Sequence, residues 1–129
     1  MEKKQDLIEY WIKSSDYDFE AACDLQSTGK NPHALFFGHL AVEKIIKAVY
    51  IQVNDEHPPK SHNLLMLIKK LNFDIPDEII DEIIIINTFN MEARYPDEKY
   101  DFYKRCTAEF TKEKMEIIGE IILWFKKKF

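Results

Sequence analysis

Glycine is scarce in this chain, with three among 129 residues, and proline is present only five times. Sandwiches and barrels need frequent turns, so the shortage excludes them and favours long helices. There are two cysteines, Cys23 and Cys106, far apart in sequence. No CxxC pair and no Cys/His cluster at metal-ligand spacing occurs, which excludes zinc-ribbon and disulfide scaffolds. No metal and no cofactor is therefore expected. Neither a phosphate-cradling glycine loop nor a recognisable Ser/His/Asp order is present. No apolar run approaches the length of a membrane span, and the opening MEKKQDLIEYWIKSSD has no apolar core of the signal-peptide kind. No membrane association is expected, and a cytoplasmic location with both thiols reduced follows. Basic residues are outnumbered 18 to 23, a formal net charge of −5. A general nucleic-acid coat protein is thereby excluded, because such affinity comes from neutralising phosphates.

What remains fits one soluble domain spanning residues 1–129. Apolar residues make up 46% and charged residues 32%, and a chain of this length buries enough surface to fold without a staple. Leu7, Ile8, Trp11, Ile12, Phe19, Ala22 and Cys23 recur at three- and four-residue steps and predict a first helix over Lys4–Ser27, ended by Gly29. Asn31 as N-cap and Pro32 as first helical residue open a second helix that continues to Val53. Ala34, Gly38, Ala41 and Ala48 form a row of small residues on it, suited to close helix packing or to a dimer contact. Its remaining apolar residues surround most of its girth, as in a bundle's central helix or one covered by a second subunit. Ser61 should cap a short third helix carrying Leu64 to Leu71. Pro76, Asp77 and Glu78 open a fourth that carries Ile79 to Phe89. The stretch from Asn90 to Asp101 reads as irregular, and a last helix covers Phe102 to Lys127. The prediction is an all-α, up-and-down bundle of four or five helices.

Few side chains are candidates for chemistry. His39, Glu43 and Lys47 fall four residues apart on the second helix, where a Glu–Lys pair at that spacing ordinarily contributes about 0.3–0.5 kcal/mol on a surface. Lys44 and Lys47 are the candidates there to meet phosphate. His62 follows Ser61 near exposed backbone N–H groups, where anions bind. Arg94, one of two arginines, follows an apolar helix, and a guanidinium can grip phosphate with two parallel hydrogen bonds. Tyr95 beside it could stack on a base. Trp11 and Trp124 are assigned to the core. From Asp74 to Glu98 there are eight acidic residues and one basic; from Lys99 to Phe129 there are eight basic and five acidic. Such runs ordinarily mark solvated helix faces.

The string from Ala34 to Tyr50, ALFFGHLAVEKIIKAVY, resembles the signature helix of HEPN domains, the "higher eukaryotes and prokaryotes nucleotide-binding" family. The segment Pro58-Pro59-Lys60-Ser61-His62-Asn63-Leu64 is similar to that family's turn into its next helix. Asn90 with Ala93-Arg94-Tyr95-Pro96 resembles the matching stretch of its small stand-alone members. The resemblance implies an up-and-down helical bundle, often a homodimer, that associates with nucleotides or RNA. It also implies a minimal nucleotidyltransferase as partner in a two-component, toxin–antitoxin-like system.

The resemblance also brings in a ribonuclease pattern: many HEPN proteins are metal-independent ribonucleases in which four to six residues separate an arginine from a histidine. Here that interval from Arg94 ends on Lys99, Tyr100 or Asp101, none of which titrates near neutral pH. No catalytic residue is assigned on that pattern. The leading expectation is a non-enzymatic nucleotide- or RNA-binding module using Arg94, Tyr95, Lys44, Lys47 and His62. The alternatives are a ribonuclease with a relocated active site, in which His62 supplies the proton exchange, and a structural helical adaptor.

Overall fold

The computed structural model describes residues 3–97 and 100–129, and all of its regular structure is helical. Six helices follow one another: α1 (Lys4–Ser27), α2 (Asn31–Asn54), α3 (Leu64–Ile68), α4 (Asp77–Arg94), α5 (Asp101–Arg105) and α6 (Ala108–Lys126). Helix α2 is the axis, packed most extensively against α1 and then against α6 and α4. Its apolar girth is covered by these neighbours, with Leu35, Val42, Ile45, Ile46, Val49 and Ile51 all buried.

The small-residue row is part of this internal packing. Ala34, Ala41 and Ala48 are fully buried. A Cβ on Gly38 would lie 2.7 Å from Cδ1 of Ile118 and 3.5 Å from Sδ of Met115, so α6 approaches α2 at a distance only glycine permits. Ser15 of α1 donates to the carbonyl of Ala41 at 2.6 Å, which brings α1 equally close on another side. Neither the row nor the girth of α2 gives an independent ground for a second subunit.

The four consecutive isoleucines of α4 show why a helix forms there. Ile83 and Ile86 are fully buried, whereas Ile84 and Ile85 are 46% and 38% exposed. That is the three-residue step of a helix; a strand would pair 83 with 85.

Five boundaries differ from the sequence reading. Helix α3 ends at Ile68, so Leu71, expected on it, lies beyond its end. Lys30, not Asn31, precedes the first turn of α2. The Asn31 amide instead donates to the carbonyl of Cys106 at 3.1 Å and ties this end of α2 to the segment before α6. Asn63, not Ser61, caps α3, its Oδ1 accepting from the N–H groups of Leu65 and Met66 at 3.0 and 3.3 Å. Ser61 acts one step earlier, accepting from the Asn63 N–H at 3.1 Å. Helix α4 continues past Phe89 to Arg94, since nothing in Asn90–Arg94 opposes a helix until Pro96 restricts Tyr95. The expected last helix is two helices: Thr107 caps a fresh start by accepting from Phe110 N–H at 3.1 Å. Glu98 and Lys99, within the stretch read as irregular, lie outside the described residues. Phe89 anchors this end, its ring 5.6 Å from that of Phe102 and 6.4 Å from that of Phe110.

Candidate functional site

Spacing along α2 places Phe36, His39, Glu43 and Lys47 along one side, at three- and four-residue steps. The Ser61–Asn63 turn and the end of α4 meet this row. His39 is wholly buried, and its Nε2 lies 3.2 Å from the carbonyl oxygen of His62. A carbonyl can only accept, so Nε2 carries the hydrogen and Nδ1 holds the lone pair. That Nδ1 is buried without a partner among the described residues. Burial first of all pushes the His39 pKa down to about 4, against the opposing pull of Glu43 and of the His62 carbonyl, with small further lowering from the His62 ring and Arg94. It is a neutral imidazole at pH 7.

Glu43, 3% exposed, holds two cationic or ionisable partners. Its Oε2 is 3.0 Å from Nζ of Lys47, itself 6% exposed. Its Oε1 is 2.9 Å from Nδ1 of His62, whose side chain is 60% exposed. The four-residue pair expected at the surface is thus a buried one, for which charge desolvation dominates. With Nδ1 bound to a carboxylate, Nε2 is the ring nitrogen that His62 offers outward. Asn87 of α4 fixes the turn from the other side: its Oδ1 accepts from Leu64 N–H at 2.8 Å and its amide donates to Asn63 Oδ1 at 3.4 Å.

Two turns on from Asn87, Arg94 ends α4 and is exposed. Its Nε donates to the carbonyl of Asn90 at 3.1 Å. Its guanidinium lies 5.8 Å from the Phe36 ring and 5.3 Å from the Tyr95 ring. It has no carboxylate partner among the described residues. The other arginine, Arg105, is engaged with Glu92 at 2.7 Å.

Of the residues singled out from sequence, His62 and Lys47 are joined through Glu43, and Arg94 stands with Tyr95, which is 65% exposed. Lys44 is not with them: it pairs with Asp18 of α1 at 2.7 Å. Lys47 is buried and spent on Glu43, so neither lysine is free for phosphate. Trp11 and Trp124 are half-buried at the edges of the core. Sequence reasoning gave no role to Phe36 or Asn87, and treated His39 only as part of a spacing. The step 36–39–43–47 was the signal available for Phe36; Asn87 had none, because its partners lie 23 and 24 residues away. Among the described residues no three His, Cys, Asp or Glu side chains converge as metal ligands, and no helix is long and apolar enough to cross a membrane.

The fold recurs in TT1696 from Thermus thermophilus, with a TM-score of 0.81 at 18% identity over 100% of both chains. It recurs too in ST0689, an archaeal HEPN homologue, with a TM-score of 0.73 at 24% identity over 93% of this chain and 95% of that one. No curated protein matches the sequence. The family model of the HEPN domain matches residues 8–128, and the chain belongs to that family.

Proposed function

We propose that this HEPN domain binds the phosphate of a nucleotide or of RNA at Arg94, and acts as the binding partner of a minimal nucleotidyltransferase. The carrying observation is the state of Arg94. It is exposed, no carboxylate among the described residues pairs with it, and its one hydrogen bond among them uses Nε. Both terminal nitrogens are left to grip an oxyanion in parallel. Phe36 backs the guanidinium plane, and exposed Tyr95 offers a ring on which a base can stack. Anisotropy of a labelled single-stranded RNA tests this. Arg94→Ala is expected to weaken binding about tenfold or more, while Arg105→Ala, which loses an arginine already paired with Glu92, changes it little. Equal effects of the two substitutions would refute the assignment. Capture with the tagged protein from its native cell tests the partner: absence of any nucleotidyltransferase would remove that half of the reading.

One observation favours a second reading, a ribonuclease with a relocated base. A buried carboxylate holds Nδ1 of His62 and presents Nε2 outward, the arrangement that orients a histidine for proton transfer. It predicts RNA cleavage without added metal, lost in His62→Gln while RNA affinity persists. Intact RNA after prolonged incubation with the wild-type protein would dispose of it.

A further inference from the structure

A second cleft, on the far side of Lys47 from Glu43, has a lining that calls for a ligand of its own. It has a volume of about 350 Å³ and lies between Leu7, Tyr10 and Trp11 of α1, Lys47 of α2, and the His57–Lys60 loop. That size suits one small ligand. The walls are apolar and flat: the Tyr10 and Trp11 rings, set edge to face at 77°, together with Pro58 and Pro59. Tyr10 is 59% exposed, so its ring surface is open to a ligand.

Lys47, His57 and Lys60 line this cleft, and none of its described lining residues is acidic. Lys47 is already neutralised by Glu43, which leaves Lys60 and His57 to meet an anion. Lys47 places its ammonium 5.3 Å from the Trp11 ring centroid. His57 and Lys60 are exposed and carry no ion-pair partner among the described residues. The larger cleft between α4 and α6, about 440 Å³, is instead lined by Glu78, Glu82 and Glu120 and would repel an anion. In a chain of net charge −5, a cleft whose unpaired lining charges are Lys60 and His57, with no acid among its described lining residues, favours an anion.

The loop that closes it is held in place. Tyr50 donates its hydroxyl hydrogen to Glu56 Oε1 at 2.6 Å, fixing the residue before His57. Ser61 N–H donates to the Pro59 carbonyl at 2.9 Å, turning the chain after the prolines. The proline walls are preformed, which lowers the ordering cost of binding.

We infer that this cleft binds a flat aromatic ring carrying a phosphate, that is, one nucleotide unit, with the ring against Tyr10, Trp11 and the prolines and the phosphate toward Lys60 and His57. A free nucleotide and an unpaired residue of an RNA strand both present that chemistry. The inference extends the nucleotide-binding reading of Arg94 to a site that shares no residue with it.

Trp11 reports on the cleft once the other tryptophan is removed. In Trp124→Phe protein, its fluorescence is titrated with adenosine monophosphate, with a short single-stranded oligoadenylate, and with inorganic phosphate. Saturable quenching by the first two marks a free-nucleotide site; quenching by the oligomer alone marks a strand-binding site; phosphate alone should not quench. Tyr10→Ala and Lys60→Glu change exposed side chains and leave the core intact, and each should weaken the quenching ligand about fivefold or more. Trp11 quenching should survive Arg94→Ala. The inference fails if neither ligand quenches up to about 5 mM, an affinity too weak for a site, or if both cleft variants titrate like their parent. RNA binding that is lost with Arg94→Ala but untouched by the cleft variants would overturn this site and leave the Arg94 reading standing. An absence of RNA binding in anisotropy, with adenosine monophosphate still quenching Trp11, would do the reverse.

Discussion

Glu43→Leu is expected to lower the free energy of unfolding by about 3–5 kcal/mol, because it strands the Lys47 ammonium in a buried position without its counter-charge. Both partners are almost wholly enclosed, at 3% and 6% exposure. The 3.0 Å pair is therefore not a surface ion pair of a few tenths of a kcal/mol. The double substitution Glu43→Leu, Lys47→Met removes both charges and keeps the volume, and it should recover most of the loss. Urea unfolding of the wild type, the two single variants and the double variant gives the coupling directly. A single substitution costing under about 1 kcal/mol would show that Lys47 reaches water and that the pair is not buried in solution. The double variant also separates stability from function. It folds, but His62 loses the carboxylate that orients it, so any RNA cleavage should fall in a protein whose stability is normal.

The bundle was readable from sequence because its signals are local. Apolar residues at three- and four-residue steps, Gly29 after α1 and Pro76 before α4 mark helices whatever their neighbours do. The boundaries that moved depend on distant partners or on competition between adjacent caps. Asn31 is a good N-cap by type, yet its amide is taken by the Cys106 carbonyl, 75 residues away. Ser61 and Asn63 are both capping residues two positions apart, and which one caps α3 follows from Asn87 holding Leu64 and Asn63. The same limit governs the site. Spacing put Glu43 and Lys47 together but could not show that α1 and the 57–62 loop bury them, nor that His62 completes the pair. Lys44 looks equivalent to Lys47 in sequence; three residues of helix rotation turn it toward Asp18 instead. Arg94 stood out because it is one of two arginines and stands beside a proline-broken segment; that no carboxylate among the described residues pairs with it is a property only the folded chain displays.

His39 should make the fold pH-sensitive in a window set by its own burial. Its folded pKa lies near 4, and an unfolded histidine titrates near 6.5. Between these values the unfolded chain binds the proton and the folded one does not, so stability falls as pH drops from about 6.5 toward 4 and the effect levels off below that. Integrated from pH 7.5 to pH 4, the shift corresponds to a loss of about 3 kcal/mol from this residue. Carboxylates also titrate toward the acid end, so the measurement is a comparison. His39→Gln keeps an N–H near the His62 carbonyl and cannot be charged. Wild-type stability should therefore fall by about 3 kcal/mol more than that of His39→Gln over the same range, with most of the difference developed by pH 5. Parallel pH profiles for the two proteins would mean that the imidazole is reached by water or relaxes on protonation. The position of His39 argues against such relief. Its ring is enclosed between the His62 carbonyl, which favours the charged form, and the core of α2, and the Arg94 and His62 side chains oppose a positive charge there. The favourable pull of Glu43 is already shared between Lys47 and His62. Any effect of this proton on RNA binding or cleavage by the folded protein should appear only near pH 4, where folded His39 titrates, and not across the wider window of the stability difference.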